Sequence, residues 1–101
     1  MEQNIIDSLK AVKYGYPDAQ FIIFGSEARG SAAKDSDIDI CVVFPIISKD
    51  YFELAAELTI EIRKYLDRAL DVIVIDKLKF DQRSKETWTL EHVIKTEGFA
   101  V

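Results

Sequence analysis

The chain has 101 residues, 49% of them hydrophobic and 31% charged, with a formal net charge of -5 and a sequence pI of about 4.8. That length suits one domain, expected over residues 1–101, which would bury about 65% of the surface of its unfolded chain. The acidic balance argues against broad, sequence-independent nucleic-acid binding, and Cys41, the only cysteine, excludes an internal disulfide and any multi-cysteine metal site. The apolar runs are strand-sized and broken by charge, and no basic region followed by an apolar stretch opens the chain. Neither a membrane span nor a signal peptide is therefore expected, and the expected location is cytoplasmic.

From Gln3 to Tyr14, Ile5, Ile6, Leu9 and Val12 recur at helical spacing, with Gly15 and Pro17 as the stop. Phe21-Ile22-Ile23-Phe24 predicts a buried strand that ends at Gly25. Small residues from Glu27 to Ala33 predict a short helix begun near Ser26. Asp37 to Phe44 predicts a second strand, with Asp37, Asp39, Cys41 and Val43 on one face and Ile38, Ile40 and Val42 on the other. Pro45 closes it.

Ser48 is the expected cap of a long helix through about Arg68, with a stripe of Leu54, Leu58, Ile62 and Leu66 and a solvated face of Glu53, Glu57, Glu61 and Lys64. Val72 to Ile75 predicts a third buried strand that opens on Asp71. Lys77 to Arg83 reads as a polar connection. A last helix is expected from Ser84 to Thr96, and Phe99 to Val101 as a short edge strand.

The second and third strands are joined by a helix long enough to be a crossover, so they should run parallel and bring Asp37 and Asp39 near Asp71. The first strand, tied to the second by a short turn, should lie antiparallel and set Gly25 and Ser26 against those acids. The fold class is therefore α/β (α+β): a mixed sheet of three to four strands flanked by about four helices, packed mainly on the face opposite the carboxylates.

Aspartates at i and i+2 of a strand share a face, with Cα atoms roughly 6.6 Å apart. Joined by a third carboxylate they suit one or two Mg²⁺ ions that also take phosphate oxygens. Three such acids repel one another, so at least one should have a raised pKa that a metal would relieve. Gly25 lets the backbone approach a ligand, Ser26 and the following amides can donate to phosphate, and Arg29 stands one turn on. This is equipment for phosphoryl or nucleotidyl transfer from a nucleoside triphosphate.

Gly25-Ser26, ten residues, then Asp37-Ile38-Asp39 resembles the signature of the nucleotidyltransferase superfamily that includes DNA polymerase beta and kanamycin nucleotidyltransferase. The fuller Gly25-Ser26-Glu27-Ala28-Arg29-Gly30 and Ser36-Asp37-Ile38-Asp39-Ile40 resemble its minimal, MntA-like antitoxin branch. The resemblance implies the polymerase beta palm-like fold and Mg²⁺-dependent transfer of AMP from ATP. Asp37, Asp39 and Asp71 would be the catalytic and metal-binding acids, and Gly25 and Ser26 would touch the triphosphate. It also implies a HEPN-domain toxin as partner, with one of its tyrosines as acceptor. Larger relatives carry further domains for the base and the acceptor, so a partner or a homo-oligomer would supply those surfaces here.

Other readings compete. A lone Gly-Ser turn is common, but two acids in a strand of isoleucine and valine are costly without a function. Asp71 alone would read as a strand-entry residue, and Arg29 equally as a surface or salt-bridge residue. Asp35 and Asp76 read as turn and capping residues, with Asp35 the main rival ligand. Cys41 reads as a small buried hydrophobe, His92 as an ordinary helical residue, and Trp88 with Phe99 as core or as a patch that meets a partner. Two alternative functions also remain at the level of sequence: a non-catalytic antitoxin that acts by binding, and transfer onto a small molecule.

Overall fold

The computed structural model describes residues 2–33 and 35–101. In chain order the elements are α1 (Gln3–Lys13), β1 (Gln20–Phe24), α2 (Ser26–Arg29), β2 (Ile38–Phe44), α3 (Tyr51–Arg63), β3 (Leu70–Asp76), α4 (Lys77–Ser84), α5 (Leu90–Glu97) and β4 (Phe99–Ala100). The strands form one mixed sheet in the order β3-β2-β1-β4. β2 and β3 are parallel, joined by α3 as a crossover, while β1 is antiparallel to both β2 and β4. This is the expected class, with five helices in place of about four.

Strand alternation divides the core in two. Ile38, Ile40 and Val42 of β2, with Phe21 and Ile23 of β1, face Ile5 and Leu9 of α1 and Leu54, Leu58 and Ile62 of α3. Most of these side chains are fully buried, each worth about 1.5–3 kcal/mol relative to exposure. On the other face Ile22, Phe24, Cys41, Val43 and Ile75 meet Phe80 of α4 and Ile94 of α5. Helices thus cover both faces, which corrects the expectation that they pack mainly opposite the carboxylates. The cause is the second apolar set on β1 and β2, since Ile22, Cys41 and Val43 need cover as much as their neighbours do.

The single helix expected from Ser84 to Thr96 is two. Thr89 Oγ1 donates to the Arg83 carbonyl at 2.7 Å and accepts from the His92 amide at 3.0 Å, ending α4 and starting α5. The polar connection expected from Lys77 is α4 itself, capped by Asp76, whose Oδ1 accepts from the Lys79 amide at 2.8 Å. Only Phe80 and Ser84 of this helix are buried, an apolar stripe too short to signal a helix in the sequence. α3 is capped by Asp50, which accepts from the Phe52 and Glu53 amides, rather than by Ser48. It stops at Arg63, short of Arg68.

Glu57, expected to be merely solvated, accepts from the Tyr16 hydroxyl at 2.7 Å and ties the loop before β1 to α3. Burial, then Glu57 itself, pushes the Tyr16 phenol up to about 12. Among the described residues no helix is long and apolar enough to cross a membrane. Replacing Tyr16 by Phe should cost about 1 kcal/mol in denaturant melts. The folded chain holds the phenolic proton above the unfolded value of 10.0, so stability falls as pH rises from there through the folded pKa. Tyr16→Phe should remove that part of the alkaline loss.

Candidate active site

Parallel pairing sets Asp39 beside Asp71, and antiparallel pairing sets Phe24, the last residue of β1, beside Asp39 on its other side. One end of the sheet therefore holds two registered carboxylates and the turn that follows β1. Asp37 lies just before β2, two residues from Asp39, and is exposed. The strand expected from Asp37 starts one residue later, at Ile38.

Asp39 is the half-buried member of the group and Asp71 an exposed one. Burial pushes the Asp39 carboxyl above its ordinary value, the Asp71 and Asp37 charges push it further, and Arg29 opposes them. The acid expected to have a raised pKa is therefore Asp39, and all four side chains act on one point. Arg29 itself is exposed at the end of α2.

Gly25 is required twice over. Its φ of 72° and ψ of -149° lie in a region open almost only to glycine, and a Cβ there would strike the Asp39 carboxylate. The β1–α2 turn and the acid are thus in direct apposition. α2 is only four residues long, ended at Gly30 with φ 74° rather than at the expected Ala33. The amides of Ser26, Glu27 and Ala28 are the donors that a helix start leaves without intrahelical partners.

Sequence reasoning passed over the pair that holds these pieces together. Glu27, with 8% of its side chain exposed, forms a 2.7 Å ion pair with Arg68. Arg68 Nη2 also donates to the Ser36 carbonyl at 2.6 Å, and the Ile38 amide donates to the Ala69 carbonyl at 3.0 Å. The turn before β3 thereby clamps both α2 and the segment leading to Asp37. A charge at Glu27 breaks no periodicity, and Arg68 looked like a helix end, so neither residue carried a signal.

Asp35 is an exposed turn residue, and Asp76 caps α4 at the opposite end of β3. Cys41 is fully buried, and burial, then the charge of Glu91, pushes its thiol up to about 12, which leaves it inert. His92 Nδ1 is 2.8 Å from the Ser84 carbonyl, a helix-to-helix contact. Trp88 is 80% exposed and Phe99 44% exposed, so neither is core.

Among the described residues no three His, Cys, Asp or Glu side chains are gathered as a finished metal cage. The donor chemistry nevertheless fits a hard divalent cation: Asp37, Asp39 and Asp71 offer only carboxylate oxygens. The raised pKa of Asp39 is the repulsion such a cation would relieve.

Residues 5–95 match the model of the nucleotidyltransferase domain family. Among solved structures, the chain is similar to a toxin-antitoxin solved with AMP-PNP at 18% identity and a TM-score of 0.64, covering 98% of this chain and 72% of that one. It is also similar to a proposed nucleotidyltransferase from Sulfolobus solfataricus at 23% identity and a TM-score of 0.56, covering 99% and 87%. A substituted form of the toxin-antitoxin MntA-HpeT follows at 18% identity and a TM-score of 0.61, covering 95% and 70%. These likenesses show a shared fold. No curated protein matches the chain.

Arg68→Ala should destabilise the protein by about 2–3 kcal/mol, because it leaves the buried Glu27 charge unpaired. Arg68→Ala combined with Glu27→Gln should recover part of that loss in the same denaturant melts. For Asp39 the folded pKa lies above the unfolded one, so its contribution to stability falls as pH rises through that window. Asp39→Asn should therefore raise Tm at pH 7 by roughly 3 °C, with no gain at pH 3, in paired thermal melts.

The chain belongs to the nucleotidyltransferase domain family.

Proposed function

We propose that this nucleotidyltransferase transfers AMP from ATP to a protein hydroxyl, and that the acceptor is a tyrosine of a HEPN-type toxin for which the chain is the antitoxin. One observation carries the catalytic part: Asp39 and Asp71 are in register beside a Gly25 whose missing side chain leaves room for the Asp39 carboxylate. The partner rests on the Gly25–Gly30 and Ser36–Ile40 motifs and on the likeness to toxin-antitoxin structures.

In this reading Asp37, Asp39 and Asp71 hold one or two Mg²⁺ ions. Bound there, the metal would neutralise charge on the phosphates and orient the α-phosphate for in-line attack. Gly25 and Ser26 receive the triphosphate through backbone and hydroxyl donors, and Arg29 adds charge from one turn away. The acceptor hydroxyl oxygen forms a bond to the α-phosphorus while the bond to the bridging oxygen breaks, and pyrophosphate leaves. Asp71, the most accessible acid on the strand edge, takes the proton of the hydroxyl. Asp37 and Asp71 are exposed, so an acceptor side chain carried by a partner can approach without a lid opening.

The test is transfer of label from α-labelled ATP in the presence of Mg²⁺ and the protein encoded beside this one. The wild type should label that partner on tyrosine, and Asp39→Ala should label it about 100-fold less or worse, while still binding it. A wild type that labels nothing, or an Asp39→Ala variant that binds and protects cells as well as the wild type, would contradict the reading.

A further inference from the structure

α4 and α5 lie over the carboxylate face of the sheet, and their course determines what overhangs the site. α4 leaves β3 at Asp76, the end remote from Asp71. There Lys77 and Asp81 line a cavity of about 250 Å³ with Gln20 and Val43, and α5 returns to the same cavity with Lys95. The turn between the two helices, residues 85–89, therefore lies toward the other end of the sheet, the end that holds Asp39 and Asp71.

Glu91 fixes the height of that turn. Its charge acts on the thiol of Cys41, two residues along β2 from Asp39, on the same face. Trp88 precedes Glu91 by three residues, roughly one helical turn or about 5 Å, and same-face strand neighbours stand about 6.6 Å apart. Trp88 is thus level with Asp39. It is 80% exposed and belongs to neither core cluster, so folding gives no reason for the largest apolar side chain to stand there. Tyr14 and Phe52, the most exposed of the other aromatics, lie at the end of α1 and on α3, against the opposite face.

We propose that Trp88, carried by the α4–α5 turn, is the platform on which the base of the bound nucleoside triphosphate stacks. The inference rests on the nucleotide-transfer reading above and adds to it where the base goes. Indole offers a flat π face to any base and discriminates little between them, so this platform provides affinity and orientation rather than a strict choice of purine. The base end of the nucleotide is then held by one helical corner and its phosphates by the β1–α2 turn, with the reacting α-phosphate between them.

The chain contains one tryptophan, so its fluorescence reports on this position alone. Mg-ATP should quench the emission saturably, whereas Mg-tripolyphosphate, which has no base, should compete with ATP without quenching. By calorimetry, Trp88→Ala should weaken ATP binding roughly 10- to 100-fold and leave tripolyphosphate binding unchanged, while Trp88→Phe should retain most of the ATP affinity. Equal ATP affinity in the wild type and Trp88→Ala would overturn the platform and leave nucleotide transfer standing. A wild type that binds neither ATP nor tripolyphosphate would instead overturn the nucleotide-transfer reading itself, and the platform with it.

Discussion

Parallel pairing of β2 with β3 forces Asp39 and Asp71 into adjacent positions, and the rest of the domain is arranged around that repulsion. Seven residues of β2 pair with seven of β3, and their apolar members are buried against α1, α3, α4 and α5. A register fixed by so many buried side chains cannot slip to separate two acids, because a one-residue shift would turn every isoleucine and valine to the wrong face. The charge repulsion is therefore retained, and it surfaces as the raised pKa of Asp39. A folded state that keeps such a cost without a structural return is the pattern expected of a functional site.

Two local devices bring the phosphate turn to those acids. Gly25 takes a backbone conformation that other residues resist and leaves its Cβ volume to the Asp39 carboxylate. The Glu27–Arg68–Ser36 network then fixes the short α2 and the approach to Asp37 from the β3 side. A buried pair of this kind contributes little net stability compared with apolar packing, but removing one partner is costly. Its value lies in geometry: it joins three segments distant in sequence into one rigid edge.

Most of the fold was legible because its signals are periodic. The stripe of Leu54, Leu58 and Ile62 and the runs Phe21–Phe24 and Val72–Ile75 each specify an element and a face, and the crossover rule then gives the register that unites Asp39 with Asp71. Legibility failed where one residue decides between alternatives. Thr89 divides a helix that the apolar spacing of Val93 and Ile94 would have continued. Asp50 takes the cap that Ser48 offers equally well on composition. The Glu27–Arg68 pair joins residues 41 positions apart and leaves no pattern at all. Trp88 was ambiguous for another reason: hydrophobicity says that a side chain gains by burial, and only the path of α4 and α5 says that none is available.

The central claim is that Asp37, Asp39 and Asp71 form one metal-nucleotide site. The most direct measurement is the carboxyl-carbon NMR spectrum of labelled aspartates during titration with Mn²⁺ in the presence of ATP. The account predicts that the signals of Asp37, Asp39 and Asp71 broaden together at the lowest metal concentrations, while those of Asp50 and Asp76 remain sharp. Broadening centred on Asp35, or uniform broadening of all aspartates, would contradict it.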